Sequence, residues 1–402
     1  MKDVFIACLG FFACFVPVAE AFYNWEDSTS DGNASLLLRG FTVTTKYEED
    51  SAVDEKENNA AGGLARLIFD SKNTSGLAWE FNTYQTWIDK SLVSLQQGIT
   101  TSFGVERSGL LEWSQSDTEY AHLAIDRMNI RWSGDSFNFI TGRQAINLAT
   151  TFFFSPNDFF APFAAQTFYR VYKPGVDAIR AGWSLGELTS LEIIGVAGYQ
   201  PDPDAKTGWS DDPDSSRDSW LVRYVTNLTG FEWALLMGKV RRQEIQGASV
   251  SGELFDWLGV RMEGHVAEEL DGEPVTRSFY TIGFEHRWNN SLMMQFEQYY
   301  HGAGATEFMA YNGLTSYPAR RYQAFGLSYE FTPLWTGQFS LIYNQIDHSL
   351  LSNFNFLHSY SDETEISLGL SLPEGNRQEG GKNSTQYGVY PKLLNLEIRT
   401  YF

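Results

Sequence analysis

Short segments with alternating apolar and polar side chains fill most of the chain. In LWTGQFSLIYNQ, for example, Trp335, Phe339 and Leu341 fall on one face and the polar residues between them fall on the other. A repeat of two residues is the pattern of a β-strand that is buried on one face only. The sequence shows no helix-period segment of comparable length. The chain is therefore predicted to build β-sheet almost throughout.

Counting these segments predicts eighteen strands, within a range of sixteen to twenty. One architecture built from such strands is the bacterial outer-membrane barrel. It has an even number of antiparallel strands, so a count of eighteen is compatible with it. The predicted strands cover residues 35–47, 61–71, 77–88, 119–132, 136–148, 176–185, 189–200, 218–227, 231–242, 246–255, 257–268, 277–288, 291–301, 321–331, 334–345, 349–358, 362–372 and 393–402.

The connections decide between two all-β architectures. Alternation alone fits a soluble sandwich, whose apolar faces meet each other, and a membrane barrel, whose apolar face meets lipid. Tight turns such as residues 133–136 and 227–230 are interleaved with long polar segments such as 149–175 and 201–217. Short turns on one rim and long loops on the other are typical of an outer-membrane barrel.

Aromatic residues collect near the ends of the predicted strands, as at Trp79, Trp132 and Trp288. Belts of aromatic rings at the two boundaries between lipid and water explain this placement. Core packing in a sandwich would explain part of it. The sequence thus favours a closed, antiparallel transmembrane β-barrel.

Residues 1–21 predict a secretory signal peptide, because they combine an early lysine, an apolar stretch and the cleavage motif AEA at residues 19–21. An N-terminal membrane anchor is the alternative. Both cysteines, Cys8 and Cys14, lie in this segment, so the mature chain has no thiol for disulfides, catalysis or metal binding. The expected domain organisation is a signal peptide followed by one barrel, residues 22–402.

The acidic balance excludes one class of partner. A formal net charge of −21 argues against nucleic acid, which requires a basic face. Acidic residues concentrate in the predicted loops 48–57, 201–218 and 268–273. These loops could bind divalent cations, but none has the spacing of a calcium loop, and a solvated surface explains them as well. No metal site and no cofactor are predicted.

An outer-membrane barrel phospholipase or protease would need a histidine placed beside a serine or a carboxylate. None of the six histidines stands in a motif that names such a partner, so the chain is predicted not to be an enzyme. A barrel lipase or protease and a purely structural barrel are kept as alternatives. The histidines are His122, His265, His286, His301, His348 and His358.

Two stretches resemble known proteins. The last strand, LNLEIRTYF, resembles the terminal strand of bacterial outer-membrane proteins, whose final phenylalanine, here Phe402, is recognised by the barrel-assembly machinery. Residues 142–180, GRQAINLATTFFFSPNDFFAPFAAQTFYRVYKPGVDAIR, resemble a segment of uncharacterised porin-like proteins of Gram-negative bacteria. In that group the asparagine that corresponds to Asn147 is often followed by Trp-Gly, whereas Leu148 and Ala149 follow Asn147 in this chain. A looser resemblance links the chain to the barrel of porin–cytochrome conduits, which would imply a multihaem cytochrome as partner.

Within the loop at residues 149–175, the stretch 150–163 carries six phenylalanines around two prolines, Pro156 and Pro162, which prevent a strand. Asp158 is expected to cap a short helical turn at Phe159. Because exposed phenylalanines would form a sticky patch, low exposure is expected for all six. The loop would either fold into the lumen or lie across the outer mouth, and packing against a second subunit is a third alternative.

The sequence as a whole predicts an outer-membrane channel for passive diffusion of small solutes or ions. The alternative is the barrel sheath of a porin–cytochrome electron conduit. Outer-membrane lipid, the assembly machinery and a second copy of the chain are the other expected partners. The charged residues predicted to form the pore constriction are Arg127, Arg131, Arg143, Asp158, Arg170 and Asp177.

Overall fold

The computed structural model of the chain describes residues 23–47, 57–89, 105–116, 119–168, 170–205, 207–272, 275–307, 317–376 and 385–402. The predicted signal peptide lies outside these residues. Within them the helical elements are two single 3₁₀ turns, Gly109–Leu111 and Tyr387–Val389. Across the described ranges there is no helix long and apolar enough to span a membrane.

The described residues form twenty-two strands, numbered in chain order. They are β1 (Tyr23–Glu26), β2 (Ser30–Lys46), β3 (Glu57–Asn73), β4 (Leu77–Asp89), β5 (Glu112–Ser116), β6 (Glu119–Ser133), β7 (Phe137–Gln144), β8 (Val176–Gly186), β9 (Thr189–Val196), β10 (Tyr199–Pro201), β11 (Trp209–Pro213), β12 (Ser219–Leu228), β13 (Phe231–Val240), β14 (Gln243–Leu254), β15 (Leu258–Glu269), β16 (Thr276–Arg287), β17 (Met293–His301), β18 (Arg321–Thr332), β19 (Trp335–Asn344), β20 (Leu350–Ser359), β21 (Thr364–Glu374) and β22 (Lys392–Tyr401).

Eighteen of these strands close into one antiparallel barrel. The barrel runs β2, β3, β4, β6, β7, β8, β9 and then β12 to β22, and β22 pairs back onto β2, with Leu37 opposite Tyr401 and Lys46 opposite Lys392. Closure removes the open sheet edge that lipid does not tolerate. The predicted all-β closed barrel of about eighteen strands is confirmed, and each barrel strand coincides with one predicted segment.

Four strands outside the barrel were missed by the alternation pattern. Strand β1 pairs with the first residues of β2, β5 pairs with β6, and β10 and β11 form a separate hairpin. Each has only three to five residues. A repeat of two residues cannot be recognised over so short a length.

Two predicted strands are too long. Strand β7 ends at Gln144 rather than at residue 148, and β9 ends at Val196 rather than at residue 200. Near the end of β7, Gly142 has a φ of +110° but stays in register with Asn129 of β6 and Ala178 of β8. The residues that follow leave the sheet, and Ile146 and Leu148 pack in a buried apolar cluster. Their alternation with polar residues therefore reflects burial inside the barrel and not a continued strand.

The connections have different lengths at the two ends of the barrel. At one end the turns are short, as at residues 74–76 between β3 and β4 and 229–230 between β12 and β13. At the other end lie the long segments 145–175 and 197–218, although β13 and β14 are joined there by only two residues. This asymmetry agrees with the one expected from the sequence.

The two faces of the barrel wall differ in polarity. Along β6, the outward Met128 and Ile130 are exposed, Ile130 by 55%, whereas Asn129 between them is buried. The same alternation recurs on β13, where Leu235 is exposed and Leu236 is buried. The outer face thus carries apolar side chains, as a surface in contact with lipid requires.

The backbone of Gly142 yields a stability prediction. A Cβ at this residue would come within 2.3 Å of the Met128 carbonyl oxygen, at a φ that other residues rarely adopt. We expect Gly142→Ala to lower the free energy of unfolding by about 1–3 kcal/mol. The urea midpoint of the barrel in detergent, followed by its heat-modifiable gel mobility, measures this loss.

The matched control is Gly63→Ala in β3. A Cβ there meets only the Arg39 carbonyl oxygen, at an ordinary 3.5 Å. The control should unfold within about 0.5 kcal/mol of the wild type. Equal midpoints for the two variants would contradict the assignment of strain to Gly142.

Candidate functional site

The connection between β7 and β8, residues 145–175, runs along the inside of the barrel and is called the strap below. Its Ile146 and Phe160 pack with Ile194 of β9 and Leu221 of β12. These wall residues face inward, since Ile193 next to Ile194 is exposed on the outer face. The described part of the strap forms no strand or helix. It therefore has to satisfy its backbone groups through contacts with the wall.

Glu297 of β17 binds three consecutive backbone N–H groups of the strap. Phe152, Phe153 and Phe154 donate to its carboxylate at 2.5, 2.9 and 2.9 Å. The side chain lies inside the barrel, and only 3% of Glu297 is exposed. A carboxylate with three N–H donors is well satisfied without a cation.

Glu263 of β15 binds the strap in the same way. Its carboxylate accepts hydrogen bonds from the N–H groups of Thr151 at 3.1 Å and Asn157 at 3.2 Å, and from the N–H of Thr150. The Asn157 amide also donates to the Ala248 carbonyl at 3.1 Å, and its side-chain oxygen lies 3.1 Å from His265 Nδ1. Together these contacts attach the middle of the strap to the wall formed by β14, β15 and β17.

The phenylalanines of the strap differ in exposure. Phe153 and Phe154 are buried, and Phe154 stacks on Tyr299 with ring centres 5.1 Å apart. Phe160 is also buried, and Phe159 and Phe163 are partly buried. The expectation of low exposure is wrong for Phe152, which is 39% exposed. The Arg170 guanidinium covers one face of that ring at 4.2 Å, so a cation–π contact replaces burial.

The last residues of the strap are attached to the opposite wall. The Arg66 guanidinium lies between two rings, 4.9 Å from Tyr84 of β4 and 4.5 Å from Tyr172 of the strap. Arg127 of β6 donates to the Lys173 carbonyl at 3.0 Å, and Arg107 donates to the Gly175 carbonyl at 3.3 Å. The strap therefore connects the β3–β6 wall with the β14–β17 wall.

A buried ionic network supports this second attachment. Asp126 of β6 has no exposed surface and accepts hydrogen bonds from Arg66 and Arg107, both at 2.8 Å. Arg107 also contacts Glu112 of β5 through Nε. Arg143 at the end of β7 contacts Asp177 of β8 with two bonds, at 2.7 and 3.0 Å. Buried charges are tolerated only when they are paired and hydrogen-bonded in this way.

The six predicted constriction residues lie on the strap and on one wall, but they do not form one ring. Arg143 and Asp177 bind each other, whereas Arg127 donates to Glu80 at 3.1 Å. Arg131 follows Arg127 by four residues on β6. Asp158 and Arg170 are on the strap and are treated separately below.

Two strap residues depart from the expectation. Asp158 caps no helical turn and instead forms a buried ion pair with Lys173 of the strap. Arg170 donates to three strap carbonyls, those of Phe152, Ala165 and Thr167, the last at 2.8 Å. Both side chains therefore stabilise the strap from within.

Five buried charges on which this arrangement depends were not predicted from the sequence. Alternation could have placed Arg66 inside, since its neighbour Leu67 is an outward apolar residue. The partner of each charge, however, is set by the path of the strap. The five are Arg66, Arg107, Glu112, Asp126 and Glu263.

Several inward-facing charges elsewhere in the barrel are also paired. Arg39 of β2 contacts Glu397 of β22 at 2.5 Å, and Arg261 of β15 contacts Glu285 of β16 at 2.9 Å. Inward acidic and basic residues can either form two opposed walls or pair with one another. Pairs of opposite charge on neighbouring strands support mutual pairing.

The acidic segment 201–218 folds against the strap side of the mouth. Arg217 and Arg241 both contact Glu106, at 2.8 and 2.7 Å. Burial alone would raise the pKa of the Glu106 carboxyl, but these two arginines hold it below its usual range. Within the described part of the chain, no group of three or more His, Cys, Asp or Glu is placed to hold a metal ion. Residues 48–56 of the first acidic loop lie outside that part.

The barrel is similar in fold to solved porins. OccAB4 of Acinetobacter baumannii matches with a TM-score of 0.59 at 10% identity, over 94% of this chain and 98% of its own. A BenF-like porin from Pseudomonas fluorescens Pf-5 matches with a TM-score of 0.59 at 10% identity, over 92% and 98%. OccK8 (OprE) of Pseudomonas aeruginosa matches with a TM-score of 0.56 at 9% identity, over 92% and 98%. No family model and no curated protein matches the sequence. The predicted resemblance to porin-like proteins is confirmed at the level of the fold.

The buried network predicts that replacing Arg107 lowers the stability of the barrel. Arg107→Ala would leave the buried carboxylates of Asp126 and Glu112 short of a partner, so we expect a loss of about 3–5 kcal/mol in the free energy of unfolding. Arg107→Lys keeps the charge but not the planar fork and should lose less. Urea unfolding of the refolded barrels compares the variants.

Arg242→Ala is the matched control. Arg242 is half exposed and contacts Asp214 and Asp271 at 3.9 and 3.4 Å. Exposed pairs of this kind contribute about 0–1 kcal/mol. If Arg107→Ala unfolded at the same urea concentration as this control, the network would not support the strap as described.

Proposed function

We propose that the protein is a channel of the bacterial outer membrane through which small solutes diffuse passively. The observation that carries the proposal is a closed barrel of eighteen strands with an apolar outer face and charged, hydrogen-bonded residues on its inner face. Barrels of sixteen to eighteen strands are wide enough for a water-filled interior. One of the solved proteins of similar fold is described as a BenF-like porin, which agrees with this function.

The narrowest part of the passage is proposed to lie beside the strap. The strap connects two walls of the barrel, so it reduces the cross-section available to a solute. Among the described residues of the strap, Phe152 and Val171 are the large apolar side chains that are exposed. Arg127, Arg131, Arg143, Asp158, Arg170 and Asp177 would contribute charge at its border, directly or by fixing the strap.

The strap favours a solute channel over the sheath of an electron conduit. A cytochrome inside the barrel would have to displace Phe153, Phe154 and Phe160 from buried positions. Exposing three phenylalanines costs several kcal/mol, at about 2 kcal/mol for each side chain. No observation in the described residues favours the sheath.

A catalytic role is not proposed, although one histidine has suitable neighbours. His122 Nδ1 lies 2.7 Å from Ser114 Oγ, and His122 Nε2 lies 3.5 Å from a Glu112 oxygen. In an acyl-transfer site the acid would orient the histidine and stabilise its positive charge. Here Glu112 already contacts Arg107, which favours a structural role for the group.

The proposed partners follow from the barrel itself. Its apolar outer face would contact outer-membrane lipid. Phe402 pairs with β2 through two backbone bonds to Leu36, at 2.9 and 3.1 Å, which makes it part of the closing seam. Recognition of this residue by the barrel-assembly machinery and association with a second copy of the chain remain proposals.

Planar-bilayer recording tests the channel function. The purified, folded protein should give stepwise increases in conductance. A variant in which residues 150–168 are replaced by a short Gly-Ser linker should give larger steps, because the strap no longer occupies the lumen. Heat-modifiable gel mobility confirms that both barrels are folded. Folded wild-type protein that inserts without conductance would rule out an open channel.

A further inference from the structure

We infer that Glu263 and Glu297 act together as a latch, a pair of positioning residues that hold the strap in place and thereby set the width of the passage. The effect of the latch on the width of the passage rests on the proposed channel function. The attachment of the strap by the latch can be tested without transport.

The latch is built from six backbone N–H groups and two carboxylates. Five of the donors, residues 150–154, are consecutive, and the sixth is Asn157. Successive N–H groups that point to one side form a concave site for an anion. In this chain the anions are two side chains of the barrel wall, so the wall supplies the ligands and the strap supplies the site.

The two carboxylates bind different residues of the strap. Glu297 binds the three consecutive N–H groups of residues 152–154. Glu263 binds the residues on both sides of them, Thr151 and Asn157. The bend between these points is closed by its own bonds, from Thr151 Oγ1 to the Phe154 carbonyl at 2.5 Å and from the Asp158 N–H to the Ser155 carbonyl at 3.0 Å. A preformed bend presents all six donors to the wall at once.

The two ends of the strap are held in different ways. On the β3–β6 side, three arginines attach it by stacking on Tyr172 and by donating to the carbonyls of Lys173 and Gly175. On the β14–β17 side, the polar attachment consists mainly of backbone N–H groups bound to the two glutamates. Loss of their negative charge would weaken all six bonds together. The side held by the glutamates is therefore the one that can be released.

Release would uncover a defined set of residues. Phe153, Phe154 and Ala165 of the strap pack with Tyr299 and Tyr322 in one apolar cluster on the same side. Ala165 is only 2% exposed. When the strap leaves the wall, this side chain becomes accessible to water, so its accessibility reports the state of the latch.

The decisive experiment measures thiol labelling in the double variant Glu263→Gln/Glu297→Gln. Both natural cysteines fall in the predicted signal peptide, so Ala165→Cys introduces the sole thiol of the mature chain. We expect a polar maleimide to label this thiol faster by a factor on the order of ten in the double variant than with the native glutamates. Ser361→Cys, in an exposed turn, sets the upper limit of the labelling rate.

Glu192→Gln is the matched control for removing an inward carboxylate. Glu192 of β9 contacts Arg180 of β8 and has no hydrogen bond to the strap among those of the described residues. Its replacement should leave the labelling of Ala165→Cys at the wild-type rate. Glu297→Asp keeps the charge but shortens the reach, so it should give an intermediate rate and provides a milder variant if the double variant does not refold.

Current recordings of the same proteins connect the latch to the passage. The double variant should show larger and noisier conductance steps than the wild type or Glu192→Gln. Unchanged labelling and unchanged steps in a folded double variant would overturn the latch and leave the channel standing. Faster labelling in the double variant, combined with a wild-type barrel that never conducts, would support the latch and remove the channel function.

Discussion

The pairing of β22 with β2 is the constraint on which the rest of the structure depends. In hydrocarbon every backbone N–H and C=O must find a partner within the protein, so the sheet has to close on itself. Ten residue pairs, from Leu37 with Tyr401 to Lys46 with Lys392, make this closure. Once it is made, outward side chains can be apolar and inward side chains polar along every strand. The interior then faces the opposite problem, because its polar groups are enclosed by the wall.

The polar groups of the interior are satisfied by binding one another, and the strap supplies some of the partners. Asp126 is fully enclosed but has two arginines, while Glu263 and Glu297 have backbone N–H groups of the strap. A strand could not offer these donors, because its N–H groups are used by the ladder. The prolines of the strap are therefore part of the arrangement, since a segment that cannot pair as a strand keeps its N–H groups available for the wall.

Sequence alone could predict the barrel because each strand carries its own periodic signal. Ile130 outside and Asn129 inside follow from alternation, whatever the rest of the chain does. The site depends on contacts between residues far apart in the chain, such as Phe153 with Glu297 and Arg107 with Asp126. No local pattern encodes which wall the strap meets. The prediction therefore named Arg143 and Asp177, which lie at or near the ends of the strap in sequence, and did not name Glu263, which meets it only in space.

The six phenylalanines at residues 150–163 of the strap follow from the same division of roles. Backbone donors fix the strap at Glu263 and Glu297, but hydrogen bonds alone leave gaps between an irregular segment and the pleated wall of the barrel. Rings fill such gaps, as Phe153 does over Gly326, where a Cβ would lie 2.7 Å from the ring. The packing of these rings does not depend on the charge of the two glutamates. The hydrogen bonds to their carboxylates do depend on it and weaken when the charge is lost. The strap thus combines one attachment that depends on charge with one that does not, and the balance between them decides how firmly the passage is narrowed.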